Sequence, residues 1–184
     1  MKLFSTTLST PVGPFTLLGD DQGIRASGFT DDALDLRLPL GGANPRLIIE
    51  PLKDLGVFSR AVAAYFAGDL AAIDEVPVLQ PGTAYYQAAW AALRAIPPGM
   101  PISYRDLAER LGNAAATRAA GTACGRNAAA LFVPCHRVVR SDGGLGGFAW
   151  GLACKRWLLA HEAAALAPDS LARNPIEVVG AAAR

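Results

Sequence analysis

The chain has 184 residues, of which 52% are hydrophobic and 18% are charged, and its formal net charge is +1. This composition fits a well-buried globular protein of one compact unit or two small domains, and it argues against long disordered regions. No stretch approaches the roughly 18 apolar residues that a membrane-spanning helix needs, and the N-terminus lacks the apolar core of a signal peptide.

The cysteines indicate a reducing compartment. Cys124, Cys135 and Cys154 are odd in number and all lie in the last third of the chain. This arrangement fits free thiols better than a disulfide framework. We therefore expect a cytoplasmic protein, in which a reactive thiol would survive.

Charge is distributed unevenly along the chain. The first 93 residues carry 6 basic and 10 acidic side chains, whereas residues 94–140 carry 7 basic and 2 acidic ones. A basic segment of this kind is typical of surfaces that bind nucleic acid. Without the motifs inside the segment, a chance local excess of basic residues explains the charge pattern equally well.

The first part of the chain predicts a small α/β domain. In FTLLGDDQGIRASGF, an Asp-Asp-Gln-Gly turn separates two short apolar runs, as in a β-hairpin. The segment 58–70 has apolar residues at helical spacing and Gly68 near its end, so it predicts a helix packed on the hairpin sheet. The Pro/Gly-containing segment 74–83 follows as a linker. We place the N-terminal domain at 1–80.

From residue 81 the sequence predicts a mainly helical domain that ends at 167, before a tail over 168–184. Thr83 is a candidate N-cap of the first helix. Ser103 and Asp106 form a capping-box pattern at the next one, which ends near Gly112 and Asn113. A further helix over 114–127 follows a tight turn, and such a pair is typical of a helix-turn-helix unit. The last helix covers 151–167.

The helix pair carries features of a DNA-binding surface. Tyr104 lies at the first turn of one helix, where backbone N–H groups favour a phosphate. The other helix presents small residues around one long cation, Arg118, which would project into the DNA. The alternative is that the two helices only pack against each other. The small residues are Ala116, Ala119, Ala120, Gly121 and Ala123, and the nearby arginines include Arg105, Arg110, Arg126, Arg137 and Arg140.

Cys135 lies in LFVPCHRVVR, directly after a proline, which predicts a strand end or a bend that exposes side chains. A thiol reacts as the thiolate, which a nearby Arg137 or His136 would favour. Neighbouring residues of an extended segment point to opposite sides, so His136 would take the proton through a water. By elimination among the few acids of this half, Glu162 is the best-placed partner for His136.

Other interpretations of the cysteines stay open at this point. Most free cysteines are buried packing residues, and we expect this of Cys154, whereas Cys124 fits either packing or a pocket wall. A zinc site is disfavoured because the sequence has no CxxC or HxxxH spacing. A cysteine hydrolase is disfavoured because its local signatures are missing.

Four motifs of this half occur together and in order: ISYRDLA at 102–108, RAAGTACGRN at 118–127, PCHRVV at 134–139 and KRWLLAHE at 155–162. In these motifs the chain resembles the O6-alkylguanine-DNA alkyltransferases, or methylated-DNA:protein-cysteine methyltransferases. The resemblance covers about residues 81–163 strongly and extends weakly to the N-terminus, whereas 164–184 lie outside it.

The resemblance implies a role for each matching residue. Cys135 would accept the alkyl group after activation through water by His136 and Glu162. Arg118 would fill the space left by the flipped guanine, and Tyr104 would press on the 3′ phosphate and donate a hydrogen bond to the guanine ring. The other implied site residues are Asn127 as a hinge, Ala119, Ala120, Gly121 and Arg126 on the DNA side, and Cys124, Val138, Ala149 and Trp150 around the base.

The expected pocket has two backbone features and one departure from relatives. The carbonyls of Cys135 and Val138 would accept from the exocyclic amine of guanine, and the N–H of Ala149 would face the guanine oxygen. Trp150 stands where some relatives carry a small glycine, and we expect it to narrow the pocket mouth. The helix would enter the minor groove, which its small residues permit.

The implied partner is double-stranded DNA containing O6-alkylguanine, with O4-alkylthymine as a further substrate. The implied protein is a monomer that uses no cofactor and no metal. The thioether formed by the attack is a very poor leaving group, so each molecule would act once. The reacting carbon is inaccessible in stacked DNA, so the base must be flipped. A lesion-binding module with an idle thiol, which signals damage to other proteins, is the alternative.

Overall fold

A four-stranded sheet forms the centre of the first half of the protein. The computed structural model describes residues 2–36 and 47–167. The strands are β1 (Lys2–Thr10), β2 (Gly13–Asp20), β3 (Gly23–Gly28) and β4 (Ile48–Pro51). Their order is β3-β2-β1-β4, with β4 parallel to β1 and the other pairs antiparallel.

The predicted hairpin is the β2–β3 pair. Its turn is closed by a side chain, because the Asp20 carboxylate accepts a hydrogen bond from the backbone N–H of Gln22 at 3.1 Å. The same carboxylate pairs with Arg25 at 2.8 Å. The turn residues of the sequence therefore fix the connection as predicted. Strands β1 and β4 were not part of the prediction.

One helix, α1 (Val57–Phe66), packs on this sheet as predicted. Its inward residues Val62 and Tyr65 share a hydrophobic cluster with Phe15 and Leu17 of β2. The helix is shorter than the predicted 58–70 because Gly68 adopts a φ of +107°, a left-handed conformation that ends the helical path.

The second half is mainly helical and contains the helix-turn-helix pair. Thr83 caps the first helix, accepting from the Tyr86 N–H, and Ser103 and Asp106 form the predicted capping box. The C-terminal helix covers Leu152–Ala165, so it starts one residue later and ends two residues earlier than the predicted 151–167. The elements are α2 (Ala84–Arg94), β5 (Ile102–Ser103), α3 (Tyr104–Arg110), α4 (Thr117–Gly125), β6 (Val138–Val139), which pairs in parallel with β5, and α5 (Leu152–Ala165).

Helix α4 is shorter than the predicted 114–127. The side chain of Asn113 accepts from the Ala115 N–H at 3.0 Å, which holds the preceding residues in a turn. The overall arrangement confirms the predicted fold class, an α/β part followed by a mainly helical part with a helix-turn-helix. The predicted tail, 168–184, lies outside the described residues.

The two halves pack together in shared hydrophobic clusters. Strand β3 forms isolated bridges to Val78 and, through Ser27, to Ala129. The Ser27 hydroxyl also donates to the Ala130 carbonyl at 2.7 Å, in a buried position. The loop that follows α4 is therefore held against the sheet, and this loop leads directly to Cys135.

Candidate active site and DNA-binding surface

Cys135 lies at a bend, as predicted. Pro134 precedes a single 3₁₀ turn, Cys135–Arg137, which leads into β6. Cys135 is half-buried as a residue and lines an open cavity of about 340 Å³, a size typical of small-ligand sites. A small ligand in the cavity would therefore meet this residue. The cavity is also lined by Tyr104, Cys124, Asn127, Ala149 and Trp150.

The environment of the thiol both opposes and supports the thiolate. Burial dominates and raises the pKa of Cys135 overall, while the Asn127 amide and the positive charge of Lys155 act to lower it. The Asn127 side-chain nitrogen donates to Sγ at 3.3 Å. Arg137 was expected to supply charge here, and this is wrong: its guanidinium bonds Glu162 and the Ile96 carbonyl instead. The sequence could not show which way Arg137 turns.

Asn127 is held in one orientation. Its nitrogen also donates to the Val133 carbonyl at 2.8 Å, while its oxygen accepts from the Ala129 N–H at 3.0 Å and from Gln80 at 3.2 Å. Because these partners fix which end of the Asn127 amide is nitrogen and which is oxygen, the N–H group is the end that faces the Cys135 sulfur. Gln80 is buried and was not singled out from the sequence, where it looks like an ordinary linker residue.

His136 and Glu162 are in direct contact, as the sequence predicted. The His136 Nε2 atom lies 2.8 Å from Glu162 Oε1, and both side chains are fully buried. Burial lowers the pKa of His136, while the hydrogen bond and the charge of Glu162 oppose that shift. The carboxylate accepts from Nε2–H, so Nδ1 keeps its lone pair, and Nδ1 has no hydrogen-bond partner among the described residues. His136 is therefore a neutral base with a free acceptor atom.

The Glu162 carboxylate is the centre of a buried network. Arg137 donates to it through Nε and Nη2, at 3.0 Å and 2.9 Å from Oε1, and the Gly99 N–H donates to Oε2 at 3.1 Å. The Tyr65 hydroxyl donates to Oε1 at 2.8 Å. Burial acts to raise the pKa of Glu162, but the hydrogen bonds and charges of His136 and Arg137 outweigh it and lower that pKa to about 2. Glu162 is therefore ionised at neutral pH.

Lys155 is a site residue that the sequence analysis missed. It is fully buried, and its Nζ donates to the carbonyls of Val138 at 2.6 Å and Gly147 at 3.2 Å. Burial lowers the pKa of Lys155, and the two nearby thiols Cys135 and Cys124 raise it. In the sequence it is one lysine in a helix, and lysines on helices are usually exposed. Only the tertiary fold reveals its position.

Three of the four predicted pocket residues line the cavity and one does not. Cys124, Ala149 and Trp150 line it, with the Trp150 ring packed over Gly28 of β3, where any side chain would overlap the ring. Val138 does not line the cavity, because its side chain is buried in the core. Its carbonyl, the group expected to accept from the guanine amine, accepts from Lys155 Nζ. Neighbouring strand residues point to opposite sides, and in β6 it is Val138 that takes the buried side while Val139 is half-buried.

A shallow groove adjoins the cavity on the side of the helix pair. Its lining includes Tyr104, Arg118 and Gly121 from the helices and Arg140 and Asp142 from the loop after β6. Arg118 is exposed, and Tyr104 belongs to both the groove and the cavity. A cation is therefore placed next to an opening that leads to the sulfur.

The predicted smooth surface of α4 is only partly exposed. Ala119 and Gly121 are half-buried, whereas Ala120 and Ala123 are fully buried in the core. The expectation that Ala120 contacts DNA is therefore wrong for its side chain, because helical periodicity turns this residue inward. Arg126 is exposed but does not line the groove.

Two negative findings concern only the described residues. No group of three or more His, Cys, Asp or Glu side chains in 2–36 and 47–167 is placed to hold a metal ion. In the same residues, no helix has both the length and the apolar character to cross a membrane. Cys154 is buried, as expected for a packing residue.

Family models match nearly the whole described chain. The model described as "6-O-methylguanine DNA methyltransferase, ribonuclease-like domain" matches residues 3–80. The model described as "6-O-methylguanine DNA methyltransferase, DNA binding domain" matches residues 84–164.

Individual proteins give the same result. The chain is 37% identical over 165 residues to a methylated-DNA–protein-cysteine methyltransferase of Salmonella typhimurium, covering 88% of this chain and 96% of the relative. It is 50% identical over 82 residues to the bifunctional transcriptional activator/DNA repair enzyme Ada of Escherichia coli, covering 45% of this chain and 23% of Ada. The OGT of Mycobacterium tuberculosis in complex with DNA is similar in structure, with a TM-score of 0.74 and 32% identity over 91% of this chain and 97% of that one.

Proposed function

The chain belongs to the 6-O-methylguanine DNA methyltransferase family, and we propose that Cys135 is the cysteine onto which it transfers the alkyl group. The protein repairs DNA by such a transfer to a cysteine. One observation carries the assignment: Cys135 lines an open cavity, and its sulfur accepts a hydrogen bond from Asn127. Cys154 is buried in the core, and burial and the neighbouring Cys135 raise the pKa of Cys124 to about 12.

The first step in this proposal is loss of the thiol proton. Nδ1 of His136 takes it through a bridging water, while Glu162 holds the Nε2–H and stabilises the imidazolium that forms. The Asn127 amide and the Lys155 charge support the thiolate once it exists. The thiolate, rather than the thiol, is the nucleophile.

The second step is displacement at the alkyl carbon. A bond forms between Sγ and the carbon as the bond from the carbon to O6 breaks, and the electron pair of that bond goes to the guanine. The Ala149 N–H and the Tyr104 hydroxyl, both at the cavity, donate to the base as negative charge develops there. The thioether product does not leave, so one protein molecule repairs one lesion.

The DNA lies along the groove in this proposal. Arg118 enters the base stack where the damaged nucleotide has left it, and Tyr104, between groove and cavity, presses on the neighbouring phosphate. The half-buried Ala119 and Gly121 let the helix approach the floor of the minor groove. The exposed Arg126 contributes charge for the backbone.

Intact mass measurement tests the proposed function. After incubation with a duplex that contains O6-methylguanine, the mass should rise by one methyl group per molecule and then stop rising in excess DNA. Peptide mapping should place the methyl group on Cys135. Tight binding of the duplex with an unchanged mass would instead support a lesion-binding module.

Substituting alanine for Arg118 should separate flipping from chemistry. We expect repair of duplex DNA to slow by about 100-fold, since flipping costs a few kcal/mol that the variant no longer offsets. Reaction with free O6-methylguanine should keep its rate, because no flipping is needed. The matched control is Arg60→Ala, which removes an exposed arginine of α1. Equal losses in both assays would contradict this role for Arg118.

Trp150 should limit the size of the group that is transferred. Its ring is a wall of the cavity and is seated on Gly28, so it has little room to move. We expect O6-benzylguanine to inactivate Trp150→Gly at a concentration at least about 10-fold lower than the one that inactivates the parent protein. Removing one steric clash with the benzyl group changes the affinity by over about 1 kcal/mol. Trp157→Phe, which changes a ring of α5 stacked on His161, is the control. Equal sensitivity of the parent and the Trp150 variant would refute the limit.

Three finer statements belong to the same proposal. We place the protein in the cytoplasm, where its three free cysteines would stay reduced. We expect it to act as a monomer, since one chain contains both the groove and the thiol. O4-alkylthymine is proposed as a further substrate, with repair by the same displacement.

A further inference from the structure

A tyrosine from the N-terminal half reaches the centre of the active-site network. Tyr65 lies near the end of α1, is fully buried, and donates its hydroxyl hydrogen to Glu162 Oε1 at 2.8 Å. The two residues are 97 positions apart in the chain. Burial and the neighbouring carboxylate raise the pKa of Tyr65, so the phenol remains a hydrogen-bond donor throughout the neutral range.

The same oxygen atom serves the base. Glu162 Oε1 contacts Tyr65 Oη and His136 Nε2, each at 2.8 Å, and it also accepts from Arg137. Hydrogen bonds that share one carboxylate oxygen compete for its negative charge. The phenol therefore limits how strongly Glu162 can stabilise a protonated His136.

Packing alone does not require the hydroxyl. The Tyr65 ring is in edge contact with Phe66 and tilted against His161, with centroid distances of 5.3 Å and 5.4 Å. A phenylalanine would fill the same space and keep these contacts. Apart from Glu162, the ionisable groups that act on the phenol are Arg137 and Cys154, and those that act on His136 are Arg137 and Lys155. His161 bonds the Tyr65 carbonyl rather than the phenol.

We propose that Tyr65 is a positioning residue for the alkyl transfer, which holds the Glu162 carboxylate in place and tunes the strength of His136 as a base. The inference rests on the proposed role of His136 in taking the proton from Cys135. It gives the N-terminal domain a part in the reaction besides packing, since α1 supplies the phenol.

The pH dependence of the transfer tests this role. Transfer needs an unprotonated Nδ1, so its rate falls at acid pH as His136 gains a proton. Tyr65→Phe leaves more of the carboxylate charge to the imidazole, which raises the pKa of His136. We expect the acid limb of the rate profile to move to higher pH by about 0.5 unit, with little change on the plateau. The control is Tyr85→Phe, because the buried Tyr85 hydroxyl has no hydrogen-bond partner among the described residues.

A titration of the imidazole by NMR separates this inference from the proposed function. The chain has only two histidines, so the His136 signal is readily assigned, and its pKa is read without any alkyl transfer. A higher His136 pKa in Tyr65→Phe than in the parent supports the inference. An unchanged or lower value, or a uniform loss of rate without a shifted limb, overturns it. Failure of the parent protein to gain a methyl group would instead overturn the proposed function.

A second measurement covers the case in which Tyr65→Phe does not fold. Replacing every tyrosine by 3-fluorotyrosine, in a Tyr104→Phe background, makes the Tyr65 phenol a stronger donor without removing it. The His136 pKa should then move in the opposite direction and fall. An unchanged His136 pKa in the folded fluorinated protein overturns the inference.

Discussion

Substituting serine for Cys135 should abolish methyl uptake while lesion binding is retained. A serine hydroxyl does not ionise in the neutral range, and its oxygen is a far weaker nucleophile than a thiolate at a saturated alkyl carbon, so His136 and Asn127 cannot restore the transfer. The intact mass should remain unchanged after hours with a duplex that contains O6-methylguanine. Binding of that duplex, followed by fluorescence anisotropy, should differ from the parent by less than about 3-fold, since the groove is untouched.

Cys124→Ser is the matched control for this result, because Cys124 lines the same cavity. Burial and the proximity of Cys135 keep the pKa of Cys124 high, so it should contribute no acceptor, and the control should gain one methyl group at a rate close to that of the parent. Methyl uptake by Cys135→Ser would identify a different acceptor. Loss of uptake in both variants would indicate that the cavity, rather than one sulfur, is required.

Features set by local chain chemistry could be predicted from the sequence. The caps of Thr83 and Ser103 depend on a side chain and a backbone N–H three residues later, so the sequence contains all the participants. The hairpin turn at Asp20 and the helix end at Gly68 are local in the same sense. These elements formed where they were predicted, within a few residues at each end.

Features set by long-range pairing could not be predicted. Strand β1 pairs with β4 across more than forty residues, and neither strand has a turn signal that identifies its partner. The bridges from β3 to Val78 and Ala129 join the two halves of the chain in the same way. Their register depends on which faces the completed core buries, and a linear pattern does not contain that information.

The site shows the same division. The contact between His136 and Glu162 could be predicted because elimination left one acid for the histidine beside Cys135. Lys155 and Gln80 could not be singled out from the sequence, because only the folded structure shows that they are buried and which groups they contact. The wrong expectation for Arg137 has the same cause, since adjacency in sequence to Cys135 does not fix the direction of a long side chain.

Removing the charge of Glu162 should have the largest effect on stability. Glu162→Gln keeps the shape of the side chain but leaves the Arg137 guanidinium, which is 1% exposed, without its counter-ion. Breaking a buried ion pair in this way costs about 3–5 kcal/mol, because a guanidinium cannot lose its proton. Denaturant unfolding should show this loss in the free energy of unfolding. Alkyl transfer, measured where the variant is folded, should also slow, since His136 loses the charge that supports it.

An exposed ion pair is the control that shows whether the loss of stability depends on burial. Asp142→Asn breaks the exposed ion pair with Arg140 and should leave the free energy of unfolding nearly unchanged, because water and salt screen an exposed pair. The pH dependence gives an independent check. The pKa of Glu162 is about 2 in the folded protein, below the roughly 4.3 of an unfolded glutamate. The contribution of the ionised carboxylate to stability is therefore complete above about pH 4.3 and is lost as the pH falls toward 2. The parent should lose stability in that window more steeply than Glu162→Gln. Parallel acid unfolding curves, or equal losses from the Glu162 and Asp142 variants, would mean that the buried carboxylate does not hold the site together.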